Sequence, residues 1–148
     1  MASMKLRAAA LLSIAALSLT ACGSNTSSAS GSTESASQTV TITDNEGEKS
    51  VATPPKSVVA TDNRTFETLS DWGVELKAGA VSLMPDTIAY TKDEKIVDLG
   101  SHREPNLEAV VEVQPDLIIN GQRFTQHADK LKELAPKATL VNLDPREG

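Results

Sequence analysis

Three arginines in this chain follow apolar runs that read as strands. The stretch PDLIINGQRF, Pro115 to Phe124, carries one such run straight into Gly-Gln-Arg-Phe, so Arg123 stands just past a strand end. After SVVA comes Asp62-Asn63-Arg64, and after IVDL comes Gly-Ser and then His102-Arg103. A guanidinium keeps its charge at any relevant pH and matches an oxyanion with two parallel N–H donors. Each charge-assisted hydrogen bond of this kind is worth roughly 1.5–3 kcal/mol when sheltered from water. Arg123, Arg103 and Arg64, with Asn63, His102, Gln122 and Phe124 beside them, are therefore the candidate contacts for an anionic ligand.

The elements that would position them follow from pattern. Thr39–Thr43 alternates, Asp44-Asn45-Glu46-Gly47 is turn chemistry, and Glu48–Ala52 returns, which predicts a β-hairpin. Ser57–Ala60 is a short apolar strand. A helix follows with Asp62 or Asn63 as its cap and Phe66, Leu69 and Trp72 on its core stripe. Ala78–Leu83 reads as a strand, Thr87–Tyr90 as a short helix, and Ile96–Leu99 as another strand. Asn106 is placed as the cap of a helix whose Leu107, Val110 and Val111 share a face. The strand Asp116–Asn120, a helix through Ala128, Leu131, Leu134 and Ala135, and the strand Thr139–Leu143 complete the order. Strands alternating with helices predict an α/β fold with a mostly parallel sheet and flanking helices, preceded by the hairpin. Such sheets bind ligands outside the C-terminal ends of their strands, where all three arginines would gather.

The N-terminal residues read differently. Lys5 and Arg7 precede the apolar run Ala8–Leu17, and Leu19-Thr20-Ala21-Cys22 then brings small residues up to the chain's single cysteine. This is the layout of an export signal over residues 1–21, with Cys22 as the lipid attachment point. The competing reading of Cys22 is a buried structural thiol. A single cysteine allows no intrachain disulfide. From Gly23 to about Gln38 the chain is nearly all Ser, Thr, Ala, Gly and Asn, a flexible tether. The body, residues 39–148, is sized for one small α/β unit. Asn25-Thr26-Ser27 and Asn63-Arg64-Thr65 match a glycosylation sequon and are read as chance.

The formal net charge is −6. Loss of Lys5 and Arg7 with the signal takes it to −8, from −6 less two positive charges. An acidic body excludes nucleic acid as the expected partner. A hydrolase would need a nucleophile beside a base, and the chain has no Gly-x-Ser-x-Gly. His102 and His127, far apart in sequence, have no metal-ligand spacing, and no metal or cofactor is expected.

DLGSHREPNLEAVVEVQPDLIINGQRF, with ADKLKELAP after it, resembles the N-terminal lobe of iron–siderophore binding proteins of ABC importers. The shared phrase is a Gly-Ser loop, then Glu104-Pro105-Asn106-Leu107-Glu108, a helix, Pro115-Asp116-Leu117-Ile118-Ile119, an arginine-bearing turn, and Lys130-Leu131 through Ala135-Pro136. It covers about Thr39 to Asp144. The resemblance implies one lobe of a two-lobe periplasmic binding protein whose lobes are joined by a long helix. It implies a ferric siderophore as ligand, with iron entering only inside that complex, and an ABC permease with its ATPase as partners. It implies a lipid anchor on the outer face of the cell membrane, and no catalysis. In members similar to this chain the arginine after PDLII pairs with an anionic ferric catecholate, which carries onto Arg123. The turn here is Gly-Gln-Arg-Phe rather than the Gly-Arg-Gln of catecholate binders. At the Gly-Ser loop an apolar residue and Lys are usual, where this chain has His102 and Arg103. The acidic residue that docks on permease arginines carries onto Glu67, with Asp71 second. Neither the connecting helix nor a second lobe follows Asp144, so the expectation is an N-terminal lobe alone. A hydroxamate siderophore, haem or a corrinoid is the alternative ligand, and a non-functional truncated lobe the alternative role.

Several side chains stay open between two readings. Arg64 and Arg103 contact ligand or are solvated. His102 meets a ligand or does not, and His127 is a surface residue. Phe124 stacks on a ligand or packs under the turn. Tyr90 lines the cleft or belongs to a polar loop. Trp72 is placed in the core.

Overall fold

The computed structural model describes residues 38–143. The signal, Cys22 and all of the tether except Gln38 lie outside the described residues, as does the stretch 144–148.

Strands β1 (Gln38–Asp44) and β2 (Gly47–Thr53) form the expected antiparallel hairpin, with Asp44 opposite Gly47 at the turn. Gly47 has φ +122°, a conformation that favours glycine. The body is a five-stranded sheet of β3 (Val58–Ala60), β4 (Leu76–Gly79), β5 (Val97–Asp98), β8 (Leu117–Asn120) and β9 (Thr139–Asn142). Their order is β5-β4-β3-β8-β9 and every pairing is parallel. Between β5 and β8 lie a minimal hairpin, β6 (Gly100–Ser101) with β7 (Glu104–Pro105), and the helix α2 (Glu108–Val113). Helix α1 (Phe66–Asp71) joins β3 to β4, and α3 (Ala128–Leu134) joins β8 to β9.

A parallel sheet must be covered on both faces, and the side-chain alternation provides for that. Val58 and Ala60 point into a core with Phe66, Leu69, Leu76, Tyr90 and Phe124, on the α1 side. Val59 and Ile118 point the other way, into a core with Val110, Leu131 and Leu140 beneath α2 and α3.

The hairpin is latched to the body by charge. Asp44, only 4% exposed, accepts the Asn142 N–H at 2.7 Å and pairs with Lys49 at 2.8 Å. Lys49 also donates to the Leu140 carbonyl at 2.8 Å, and Lys132 of α3 reaches Glu46 at 3.2 Å. Burial would raise the Asp44 carboxyl, but the Asn142 N–H, Lys49 and the Glu46 N–H outweigh it and hold the group below its ordinary range.

Several sequence expectations need correction. Trp72 is not core: it is 76% exposed. A spacing of three residues advances about 300° on a helix of 3.6 residues per turn, so Phe66, Leu69 and Trp72 drift progressively off one stripe. Trp72 is also the C-cap of α1, outside its regular turns. The helix α2 buries Ala109 and Val110 and leaves Val111 48% exposed, so Val111 does not share the face of Val110. Neither helix is capped as expected: Thr65 and Leu107 hold the cap positions of α1 and α2, without side-chain cap bonds. The Asn106 backbone N–H donates to the Leu99 carbonyl at 2.9 Å. The stretch Ala78–Leu83 is not one strand, because β4 ends at Gly79 and Val81–Leu83 forms a 3-10 turn. The expected helix near Tyr90 is a 3-10 turn over Ala89–Lys92.

Candidate functional site

The strand order reverses at β3. The chain steps from β3 to β4 to β5 on one side, then crosses back so that β8 lies on the other side of β3. The loops leaving β3 and β8 therefore diverge and open a crevice at their C-terminal ends, the position where open α/β sheets bind ligands. Those two loops carry Asp62-Asn63-Arg64 and Gly121-Gln122-Arg123.

A buried polar chain fixes these ends. Thr61 Oγ1 donates to Asn120 Oδ1 at 2.7 Å, and Asn120 Nδ2 donates to Asn142 Oδ1 at 3.3 Å. Thr61 N–H extends the β3–β8 ladder by bonding the Ile119 carbonyl at 2.9 Å. Beyond it Asp62 is fully buried and Arg64 grips it with two prongs, Nε to Oδ1 at 3.0 Å and Nη2 to Oδ2 at 2.7 Å. The Arg64 Nη2 also donates to the Leu143 carbonyl. Asp62 was expected as a helix cap, and Arg64 as a ligand contact or a solvated residue. Asp62 does not hold the cap position of α1, but its Oδ1 accepts the Arg64 backbone N–H at 3.0 Å in the turn that leads into the helix, and the Arg64 guanidinium is engaged on the same carboxylate.

Arg123 differs. It is exposed, as Arg64 is, but it lies in the 3-10 segment Gln122–His127 that follows β8 and makes no ion pair among the described residues. With Thr61, Asn63, Leu83, Gln122 and Phe124 it lines a hollow of about 120 Å³ at the crevice. Phe124 is 1% exposed and belongs to the α1-side core, so it packs under the turn and anchors it. Tyr90 is likewise buried, with its hydroxyl on the Val74 carbonyl at 2.5 Å, and does not line this hollow.

The third loop joins from β5. Asp98 accepts the Ser82 hydroxyl and the Gly100 N–H, the latter at 2.8 Å, and these bonds outweigh burial to keep its carboxyl below the ordinary range. That fixes the start of the β6–β7 turn, whose tip carries His102 and exposed Arg103. His102 is half-buried and its Nδ1 has no hydrogen-bond partner. Burial, then Arg123, Arg103 and His127, push the imidazole below the usual histidine range. His102 and His127, distant in sequence, are thus neighbours: His127 Nε2 lies 2.8 Å from the His102 carbonyl. His127 is half-buried rather than on the surface, with its ring edge-on to Phe124 at 5.8 Å. Among the described residues no three His, Cys, Asp or Glu are grouped to hold a metal ion.

On α1, Glu67 and Asp71 are exposed, four residues apart on one outward face. Sequence reasoning missed three contributors to the site: the buried pairing role of Asp62, the close approach of Gly121 to it, and Gln126, whose Nε2 donates to the His102 carbonyl at 3.0 Å. The strand-end position of Asp62 and Gly121 was the available signal for the first two, whereas nothing local marks Gln126.

Comparison with known proteins agrees with this fold. The petrobactin-binding protein YclQ of Bacillus subtilis is 33% identical over 132 residues, covering 86% of this chain and 41% of YclQ. The Fe(3+)-citrate-binding protein YfmC of Bacillus subtilis is 30% identical over 133 residues, covering 88% of this chain and 42% of YfmC. The chain thus spans less than half the length of these curated relatives. The crystal structure of the periplasmic catecholate-siderophore binding protein VctP of Vibrio cholerae superposes with a TM-score of 0.59 at 28% identity, over 71% of this chain and 37% of that one. Residues 58–148 match the family described as periplasmic binding protein, and with a parallel sheet whose switch point carries the candidate site, the chain belongs to that family.

Proposed function

We propose that the body of this chain is one lobe of an extracytoplasmic receptor that captures an anionic ferric chelate, of catecholate type, and passes it to an ABC permease. The observation that carries this reading is the exposed Arg123 on the turn after β8, beside a hollow at the topological switch point. A guanidinium there meets the oxygens of an iron complex with a fixed positive charge. Arg103, on the neighbouring turn, adds a second. Arg64 contributes indirectly, by neutralising Asp62 so that no bare carboxylate repels the ligand. His102, Asn63 and Gln122 supply neutral polar contacts, and Phe124 supports the turn from below.

The relatives support the ligand class. Petrobactin, ferric citrate and a catecholate siderophore appear in their names. The lipid anchor at Cys22 rests on the Leu-Thr-Ala-Cys sequence. Docking to the permease is assigned to Glu67 and Asp71, which face outward on α1. The role is capture and delivery, without a chemical step, so the hydrolase reading is dropped.

Calorimetric titration of the full chain tests the assignment. The ligands are an iron(III) tris-catecholate, ferric citrate and a ferric hydroxamate, each at several salt concentrations. Salt-weakened binding of the catecholate, lost in Arg123→Ala, is the expected result. Equal binding of all three, unaffected by the substitution, would remove the arginine site.

A further inference from the structure

The second arginine of the rim, Arg103, has no ion pair of its own among the described residues and sits at the tip of a two-plus-two-residue hairpin. Such a hairpin is too short to hold its own position. Something else must fix it against the Arg123 turn. Two side chains do so, and both come from the segment that carries Arg123. Gln126 Nε2 donates to the His102 carbonyl at 3.0 Å, and His127 Nε2 lies 2.8 Å from the same oxygen. A carbonyl oxygen only accepts, so His127 carries its proton on Nε2.

We propose that Gln126 and His127 are positioning residues, which clamp the β6–β7 turn onto the β8–α3 segment and hold Arg103 beside Arg123 to face one anionic ligand. The ligand part of this inference rests on the function proposed above. The clamp itself does not. Two donors converge on one backbone oxygen from consecutive residues, which fixes the turn in both position and angle. The ring of His127 is in turn seated edge-on against buried Phe124, so the clamp is anchored in the core. The His102 imidazole lies within the field of both arginines and of His127, the charged and titratable groups that bear on it from the two segments. Its unpartnered Nδ1 reports that field, because a proton placed there would meet positive charge and no acceptor.

The test uses the full chain and two variants that both lack the His127 imidazole. His127→Gln keeps an N–H donor at similar reach, and the double variant Q126L/H127L keeps none. The first readout needs no ligand: titration of the His102 imidazole by NMR. His102 is expected to titrate at a higher pH in Q126L/H127L than in His127→Gln, because the turn and Arg103 leave the Arg123 segment. Identical titration in the two variants overturns the clamp. The second readout is affinity for iron(III) tris-catecholate. Arg103→Ala is expected to weaken binding about tenfold in the His127→Gln background and hardly at all in Q126L/H127L, where Arg103 is already displaced. Equal losses in both backgrounds overturn the link to Arg103. If the unsubstituted chain binds no ferric complex while the His102 shift is seen, the clamp stands and the ligand assignment fails.

Discussion

Gly121 and Asp62 touch across the switch point: a β-carbon on Gly121 would come within 2.5 Å of Asp62 Oδ2 and 2.9 Å of its Cγ. No side chain fits there unless the buried carboxylate moves, and with it the Arg64 pair. Gly121→Ala is therefore expected to destabilise the fold by about 1–3 kcal/mol. Urea denaturation checks this, and an unchanged midpoint would mean that Asp62 can rotate away freely.

Arg64 and Arg123 should separate cleanly by phenotype. Arg64→Ala takes the guanidinium from the buried Asp62 carboxylate, which keeps the backbone N–H of residue 64 at 3.0 Å, and is expected to cost about 2–4 kcal/mol of stability. Arg123→Ala removes an exposed side chain and is expected to stay within about 0.5 kcal/mol of the original stability. Its effect should fall on binding, with affinity for a ferric catecholate lowered about 10–100-fold by the loss of one or two charge-assisted bonds. Thermal melts and calorimetry on both variants give the comparison. A stability loss in Arg123→Ala as large as that in Arg64→Ala would contradict the division.

The hairpin latch makes stability depend on acid. The Asp44 carboxyl titrates below its ordinary value of 3.8 in the fold, so its contribution is fully present above that pH and is lost as pH falls through the folded value. Asp44→Asn is expected to lower stability near neutrality by about 1–3 kcal/mol and to flatten the acid limb of the stability–pH curve. Denaturation midpoints between pH 2 and pH 7 read both effects, and parallel curves for the two proteins would show that another carboxylate controls the acid limb.

Aromatic residues offer a test of burial. Phe124→Ala empties a core position that is 1% exposed and is expected to cost about 3–5 kcal/mol, while Trp72→Ala, at 76% exposure, is expected to change stability by less than about 0.5 kcal/mol. The intrinsic fluorescence should be that of a solvated indole. A blue-shifted emission that moves to the red on unfolding would place Trp72 against other groups.

The sheet was legible because its strands are short apolar runs bounded by turn residues, and because alternation with helices admits few topologies. The arginine turn after PDLII was legible for the same reason: Arg123 follows a strand end directly. What escaped was decided by pairs distant in sequence. Arg64 looks like Arg123 in a strand-end pattern, and only the three-dimensional burial of Asp62 two residues earlier removes it from the free set. Gln126 and His127 read as polar residues at a helix start, since their partner is a backbone oxygen 24 and 25 residues earlier. The Trp72 error came from extending a three-residue spacing past the end of a six-residue helix. Local pattern carries element type and strand-end position, but not which neighbour a long side chain will choose.

The latch has a further consequence, for self-recognition. β9 ends the sheet, so its outer flank would offer unpaired amides and carbonyls to any passing extended chain. Asp44 accepts the Asn142 N–H at 2.7 Å, the Asn45 N–H donates to the Asn142 carbonyl at 3.3 Å, and Lys49 donates to the Leu140 carbonyl at 2.8 Å. Thr139 Oγ1 answers from β9 by donating to the Ser50 carbonyl at 2.9 Å. Side chains and a turn thus occupy the sites a foreign strand would use, without forming a regular ladder that could be extended. The opposite flank, β5, is only two residues long and offers little to template on. The β9 flank is thereby closed to strand-to-strand polymerisation.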